Sequence, residues 1–188
     1  NCMSVSTVDS NGLPNTRMVL CKELNTEEGN WTFYTNYSSI KSKELESNAK
    51  CSALFHWDKF GLQARIRGTA IRCADSKNDA YFSSRDLGSQ IAAWASDQSK
   101  EIESLEMMDT SYQKIMDKFN IGNLENNSET KIPRPDFWGG YEIWVGEIEL
   151  WKNQKNRFHD RLKFTRNINI KNGNIEADKK WNVIRIQP

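Results

Sequence analysis

The stretch LQARIRGTAIRCA, residues 62–74, alternates between polar and apolar over its first six positions. In an extended chain successive side chains point to opposite faces, so Gln63, Arg65 and Arg67 share one side while Leu62, Ala64 and Ile66 share the other. Such a strand is buried on one face only, as in antiparallel sheets; parallel strands are apolar on both faces. Just upstream, CSALFHW (51–57) reads as a partner strand, joined to it by a turn around Asp58 to Gly61. Further back, MSVSTV (3–8), the turn DSNGLPN, TRMVLCKEL (16–24), the loop NTEEGN and WTFYTN (31–36) give three more extended runs. A short basic segment, SSIKSKELESN (38–48), is expected to form one helix ending near Asn48.

The middle of the chain changes period. Ser76, with Asp79 three residues on, reads as a capping-box start for a helix through Arg85, which Gly88 interrupts before SQIAAWAS. From Gln98 to Phe119, Ile102, Leu105, Met108, Tyr112, Ile115, Met116 and Phe119 recur at spacings of three and four, which predicts an amphipathic helix. Residues 120–136 are polar and end in PRPD, a loop pattern. YEIWVGEIELW, FHDRLKFTRN and WNVIRI then return to strands, with KNGN (171–174) a hairpin turn before the last. Strands, then helices, then strands, without βαβ alternation, predict an α+β fold: an antiparallel barrel or sandwich rather than a doubly wound sheet. At 188 residues the expectation is one domain over 1–188.

Charged residues make up 27% of the chain but nearly cancel, leaving +1, so no nucleic-acid footprint is expected. No apolar run reaches the roughly 18 residues of a membrane span. Cys2, Cys21, Cys51 and Cys73 form no CxxC pair and read as free buried thiols of a reducing, cytoplasmic setting. With two histidines a metal site is not expected, and His56 reads as a core or edge-strand residue. P-loop, Rossmann, HExxH and nucleophile-elbow patterns are absent.

The cations are where the sequence is most specific. If NRFHDRLKF (156–164) is one strand, Arg157, His159, Arg161 and Lys163 lie on one face, with Arg157 and Arg161 about 13 Å apart. That spacing suits two anionic groups sharing one site. Tyr81 and Arg85 are helical neighbours, with Ser89 just past the break, and together could grip a phosphate. Each patch alone also has an ordinary reading as a solvated face.

RMVLCK, FYTN, LQARIRG, YFSSR, GSQIAAWASDQS, PRPDFWGGY, IELW and NRFHDR occur in the order and spacing of the pyridoxine/pyridoxamine 5′-phosphate oxidases, and the chain resembles that family from about residue 4 to its end. The resemblance implies a homodimeric FMN-binding split barrel with a flavin at the subunit interface. By motif, Arg17, Met18, Val19, Leu20, Lys22, Tyr34, Thr35, Lys41, Gln63, Gln98, Ser99, Trp151 and Arg161 resemble the flavin contacts. Lys22, Tyr81, Arg85 and Ser89 resemble the grip on the substrate phosphate, and Arg157 with His159 the catalytic pair beside the pyridine ring. Strict alternation puts Arg17 and Lys22 on opposite faces, so a bulge, a strand end or backbone contacts must intervene. The chemistry implied is hydride transfer from C4′ of pyridoxamine or pyridoxine phosphate to flavin N5, with O2 reoxidising the flavin and giving H2O2. The chain departs from the family at Ile40 and Leu62, where arginine is usual, and at Val145 and Phe158. A related flavin oxidase acting on a phenazine precursor, or a non-catalytic FMN- or pyridoxal-phosphate-binding protein, are the alternatives.

Overall fold

The computed structural model describes residues 1–124, 130–171 and 174–188. The strands are β1 (Cys2–Val8), β2 (Pro14–Leu20), β3 (Glu23–Asn25), β4 (Asn30–Asn36), β5 (Lys50–Trp57), β6 (Leu62–Arg72), β7 (Trp138–Lys152), β8 (Asp160–Thr165), β9 (Ile168–Lys171), β10 (Asn174–Ala177) and β11 (Asn182–Ile186). The helices are α1 (Ile40–Ser47), α2 (Asp75–Ser83), α3 (Leu87–Ala95) and α4 (Glu106–Lys118). One sheet runs β11-β8-β7-β6-β5-β1-β2, with β4 pairing both β3 and β7, and β9 with β10 form a separate hairpin. The α+β, antiparallel expectation holds.

The chain forms two compact units, Asn1–Phe33 with Glu44–Ile71 and Tyr141–Pro188, and Tyr34–Lys43 with Arg72–Gly140. In the first, the alternation expected for β6 is present: Ala64 and Ile66 are buried while Arg65 and Arg67 are exposed. Met3, Val5, Ala53, Phe55, Ile143 and Val145 complete the apolar face. A second helix-lined core in the other unit gathers Phe82, Leu87, Ile91, Met116, Ile121, Ile132 and Trp138.

Several local expectations change. TRMVLCKEL is not one strand, because β2 ends at Leu20, where the Cys21 N–H bonds to the Asn1 carbonyl and the Lys22 N–H to that of Thr32. That strand end takes Lys22 out of the β2 alternation, while Arg17 within β2 is held by Glu44. The Ser76 capping box does not form: α2 starts at Asp75 with Ala74 as its unbonded cap. Gly88 interrupts nothing; it lies inside α3, whose cap is Asp86, accepting the Ser89 N–H at 2.7 Å. Residues 98–105 are not helical, Ser99 has a positive φ of 70°, and Ile102 and Leu105 are exposed, so the predicted helix shrinks to α4. Cys2 is exposed rather than buried, and His56 is an exposed residue of β5, not a core one. Asn172 and Gly173, the centre of the expected KNGN turn, lie outside the described residues, as do residues 125–129 of the expected 120–136 loop.

One buried network ties α1 to the sheet. The Glu44 carboxylate accepts hydrogen bonds from Thr7 Oγ1, from Asn15 Nδ2 at 3.1 Å and from Arg17 Nη2 at 3.1 Å. Burial raises the Glu44 pKa, but these bonds outweigh it and hold the carboxyl below the ordinary value of 4.5. A depressed folded-state pKa stabilises the fold above the unfolded value and ceases to do so as pH falls through the folded one. Urea midpoints should therefore drop on acidification below about pH 4.5, and the stability gap between the wild type and Glu44→Gln should narrow over the same interval.

Candidate functional site

In the second unit, Tyr81 and Arg85, two of the four predicted phosphate-grip residues, lie at an aromatic pile, and Ser89 is in the same unit, while Lys22 belongs to the first unit. Tyr34 stacks on Tyr81 with centroids 3.9 Å apart and on Trp138 at 5.3 Å. The Arg85 guanidinium lies 4.8 Å above the Trp138 ring, a cation–π contact. Its Nη1 is buried and has no hydrogen-bond partner among the described residues. Burial pulls the Arg85 pKa below the ordinary arginine value, against the opposing pull of Tyr81 and Asp86. A buried guanidinium nitrogen with an unmade bond is costly unless something fills it, and a bidentate anion does so best. Ser89 sits in the first turn of α3, bonded to the capping Asp86.

The glycines of PRPDFWGGY are required by close approach. A Cβ on Gly139 would collide with the Tyr37 hydroxyl, and one on Gly140 would lie 2.7 Å from Cys73 Sγ. Asn78 explains the crowding: its Oδ1 accepts the Gly140 N–H at 2.8 Å, and its Nδ2 donates to the Tyr37 hydroxyl and the Cys73 carbonyl, both at 3.2 Å. That lattice fixes Trp138 against α2.

Three predicted flavin contacts also converge in this unit. Lys41 Nζ, on a buried side chain, donates to Gln98 Oε1 at 2.9 Å, Thr35 Oγ1 at 3.1 Å and Ser39 Oγ at 3.4 Å. Thr35 Oγ1 donates to the same Gln98 oxygen at 2.8 Å. Lys41 lies in the first turn of α1, whose Ser42 and Lys43 N–H groups both bond to the Ser39 carbonyl. An ammonium beside hydroxyls makes a donor set suited to a phosphate ester. Ile40, beside it, is 48% exposed.

In the first unit, the expected strand face of NRFHDRLKF does not form as drawn. β8 begins at Asp160, and the preceding residues make a turn in which Asn156 and Arg157 both have positive φ, 57° and 64°. Arg157 and His159 therefore do not continue the face of Arg161, and the 13 Å spacing derived from a straight strand lapses. Arg157 and Phe158 are exposed. The His159 ring packs against Trp151 with centroids 4.5 Å apart, and its Nδ1 accepts the Gln154 N–H at 3.3 Å.

Arg161 and Lys163 do share a face, and β7 supplies the opposite charge. Glu149, 5% exposed, accepts from Arg161 Nε at 2.8 Å and pairs with Arg65 on its other oxygen. Glu147 pairs with Lys163 at 2.7 Å and with Arg67 at 3.8 Å. Arg17 is likewise held by Glu44, and its neighbours Met18 and Leu20 face outward, 62% and 46% exposed, with Val19 turned inward. Gln63 lies opposite His56 on β5. Lys22 lines a cavity of about 370 Å³ with Cys21, Trp31, Phe55 and Trp57. Burial pushes Cys51 up to about 12 and raises Cys21, so neither thiol is a ready nucleophile.

The sequence reading missed Glu147 and Glu149, although their i, i+2 spacing matched that of the cations. It also missed Trp138, Asn78 and Arg134; PRPDFWGGY signalled two of these as a motif without assigning them work.

Residues 1–118 match the family model for pyridoxamine 5′-phosphate oxidase, and residues 138–188 that for the pyridoxine 5′-phosphate oxidase C-terminal dimerisation region. A pyridoxine/pyridoxamine 5′-phosphate oxidase of Brucella anthropi is 40% identical over the whole chain and 84% of its own length. One from Rubrobacter xylanophilus is 38% identical over the whole chain and 77% of its length. Among solved structures, PhzG from Burkholderia lata, in complex with tetrahydrophenazine-1-carboxylic acid, superposes over the whole chain and 82% of its own at a TM-score of 0.81 and 25% identity. A pyridoxamine 5′-phosphate oxidase-related, FMN-binding protein of Nostoc punctiforme, 14% identical, shares the fold at 0.70 over the whole chain and 88% of its own. The fold is thus the antiparallel split barrel expected.

Because Glu149 bonds two guanidiniums, Glu149→Gln should lower unfolding free energy by about 2 kcal/mol. Glu149→Gln combined with Arg65→Leu should recover part of the loss, read as the coupling term of a double-mutant cycle in urea.

Proposed function

This chain belongs to the pyridoxine/pyridoxamine 5′-phosphate oxidase family, and from that premise we propose that it oxidises pyridoxamine or pyridoxine 5′-phosphate to pyridoxal 5′-phosphate, with FMN as cofactor and O2 as acceptor, yielding H2O2, the amine also taking up water and releasing ammonia. The observation that carries this reading is Arg85, its guanidinium laid over Trp138 with one nitrogen buried and unbonded. That is a place for an anionic group beside aromatic rings, as a phosphorylated pyridine requires. The Lys41–Thr35–Gln98 cluster supports a second phosphate, that of FMN.

In this reading all of 1–188 acts as one FMN-binding domain. Arg17, Met18, Val19, Leu20, Lys22, Tyr34, Thr35, Lys41, Gln63, Gln98, Ser99, Trp151 and Arg161, matched by motif, are its proposed flavin contacts. The match of residues 138–188 to a dimerisation region supports a homodimer with the flavin at its interface. No described helix is long and apolar enough to cross a membrane, and a cytoplasmic location remains part of the proposal. FMN, when bound, supplies the hydride acceptor and the path of electrons to oxygen. Lys22, Tyr81, Arg85 and Ser89 hold the substrate phosphate, and Arg157 orients the pyridine ring. His159 can serve a proton at Nε2: its Nδ1 accepts the Gln154 N–H, which in a neutral imidazole leaves the proton on the other nitrogen. Positioning of this kind is the protein's main contribution to such chemistry.

The likeness to PhzG supports a second reading, oxidation of a phenazine precursor on the same barrel. Anaerobic mixing of the flavin-loaded protein separates the two. Bleaching of the visible flavin band by pyridoxamine or pyridoxine 5′-phosphate is expected; bleaching by a reduced phenazine carboxylic acid alone would transfer the assignment, and none with either would leave a binding protein. Exposed Ile40 stands where the family usually has arginine, so Ile40→Arg should tighten FMN by about one to two decades in a fluorescence titration. An unchanged dissociation constant removes Ile40 from the phosphate site.

A further inference from the structure

We propose that Arg134 is a positioning residue for the anion grip: it locks helix α2 to the Trp138 backbone and so sets where Arg85 and Tyr81 stand. The inference rests on the grip described under the proposed function but concerns a residue outside it. Arg134 is nearly buried, its side chain 10% exposed, and three of its nitrogens are engaged. Nε donates to Asp79 Oδ1 at 2.6 Å, Nη2 to Asp75 Oδ1 at 2.8 Å and Nη1 to the Trp138 carbonyl at 2.8 Å.

Asp75 and Asp79 are four residues apart in α2, so one face of the helix presents both carboxylates to one guanidinium. The same helix carries Tyr81 and Phe82. Phe82 meets the Trp138 ring edge-on at 5.1 Å, and the Arg85 N–H bonds to the Phe82 carbonyl at 3.2 Å. Arg134 thus joins the start of α2 to the residue whose ring supports Arg85, while Arg85 itself follows two residues past the end of α2, its N–H held by the Phe82 carbonyl. Rotation or withdrawal of the helix would change the height of Arg85 over Trp138 and open the Tyr81 stack. Lysine cannot reproduce this: its ammonium is a point charge without the planar fork that spans two carboxylates and a carbonyl.

The test uses the flavin-loaded protein with Arg134→Lys and, because that change alters a packed side chain, a second variant, Asp75→Asn with Asp79→Asn, on the exposed side of the same link. Binding of inorganic phosphate is measured by calorimetry, with Arg85→Gln as the reference for loss of the grip. Turnover is measured with pyridoxamine 5′-phosphate and with unphosphorylated pyridoxine. Both link variants should weaken phosphate binding, and raise KM for the phosphate ester, by about ten- to a hundredfold, the range of one charge-assisted hydrogen bond. In both, kcat, FMN content and kcat/KM for pyridoxine should stay within about twofold. Unchanged phosphate affinity, or equal losses for ester and alcohol, overturns the proposal, the latter because a general folding defect has no reason to single out the phosphate. If the wild type oxidises neither compound yet phosphate binding falls in Arg85→Gln and in the link variants, the proposed function fails and the positioning role stands. Phosphate binding indifferent to Arg85→Gln refutes both.

Discussion

A carboxylate with almost no access to water holds β6, β7 and β8 in register. Glu149 on β7 is shared by Arg65 on one neighbouring strand and Arg161 on the other, and two residues back Glu147 is shared by Arg67 and Lys163. Neither acid pairs with the residue directly opposite on β8: Glu149 faces Lys163 but binds Arg161, and Glu147 faces Thr165 but binds Lys163. Both bonds are therefore diagonals of the same sense. A slip of β8 by one residue would turn its cations to the other face and leave each acid with its β6 arginine alone, a loss greater than that of a surface pair. The ladder stops at Lys152 opposite Asp160, and the chain between them turns through two left-handed residues that set Arg157 apart from the strand.

In the helical unit a neutral lattice does comparable work. Asn78 satisfies a backbone N–H, a backbone carbonyl and a phenol at once, which is possible only because Gly139 and Gly140 admit it. Trp138 directly precedes those glycines in the chain and is edged by Phe82. The cation–π contact of Arg85 thus rests on a tryptophan that packing holds still, and a fixed ring keeps the guanidinium from collapsing into solvent. The cost is one buried nitrogen without a bond among the described residues, tolerable at a site meant to receive an anion.

Much of this was legible in the chain. Alternation in β6 identified a one-sided strand and hence an antiparallel sheet, since the period of side-chain direction is a local property of extended backbone. The grouping of Thr35, Lys41 and Gln98, and of Tyr81 with Arg85, followed from motif resemblance; hydrogen bonds join the first three, and Tyr81 and Arg85 both lie beside Trp138. The straight strand through Arg157 failed because alternation cannot signal a left-handed turn, to which Asn156 was the only hint. The helix from Gln98 failed because three-and-four spacing of apolar residues is compatible with helix but does not require it, and a positive φ at Ser99 breaks the run. The capping box at Ser76 failed because α2 already begins at Asp75, which puts Ser76 inside the first turn, and Asp79 pairs with Arg134, fifty-five residues on.

By itself, then, the sequence determined what the backbone does over a few residues: strand faces, a β-dominated start, an α+β order and the family motifs. The tertiary structure alone decided which charges neutralise which. Electrostatic partnership depends on distance in space, and the partners here lie 12 residues apart for Glu149 and Arg161 and 84 for Arg65 and Glu149. A cationic strand face, seen alone, shows none of its partners; only when β7 lies between β6 and β8 do Arg161 and Lys163 meet the carboxylates they share with β6.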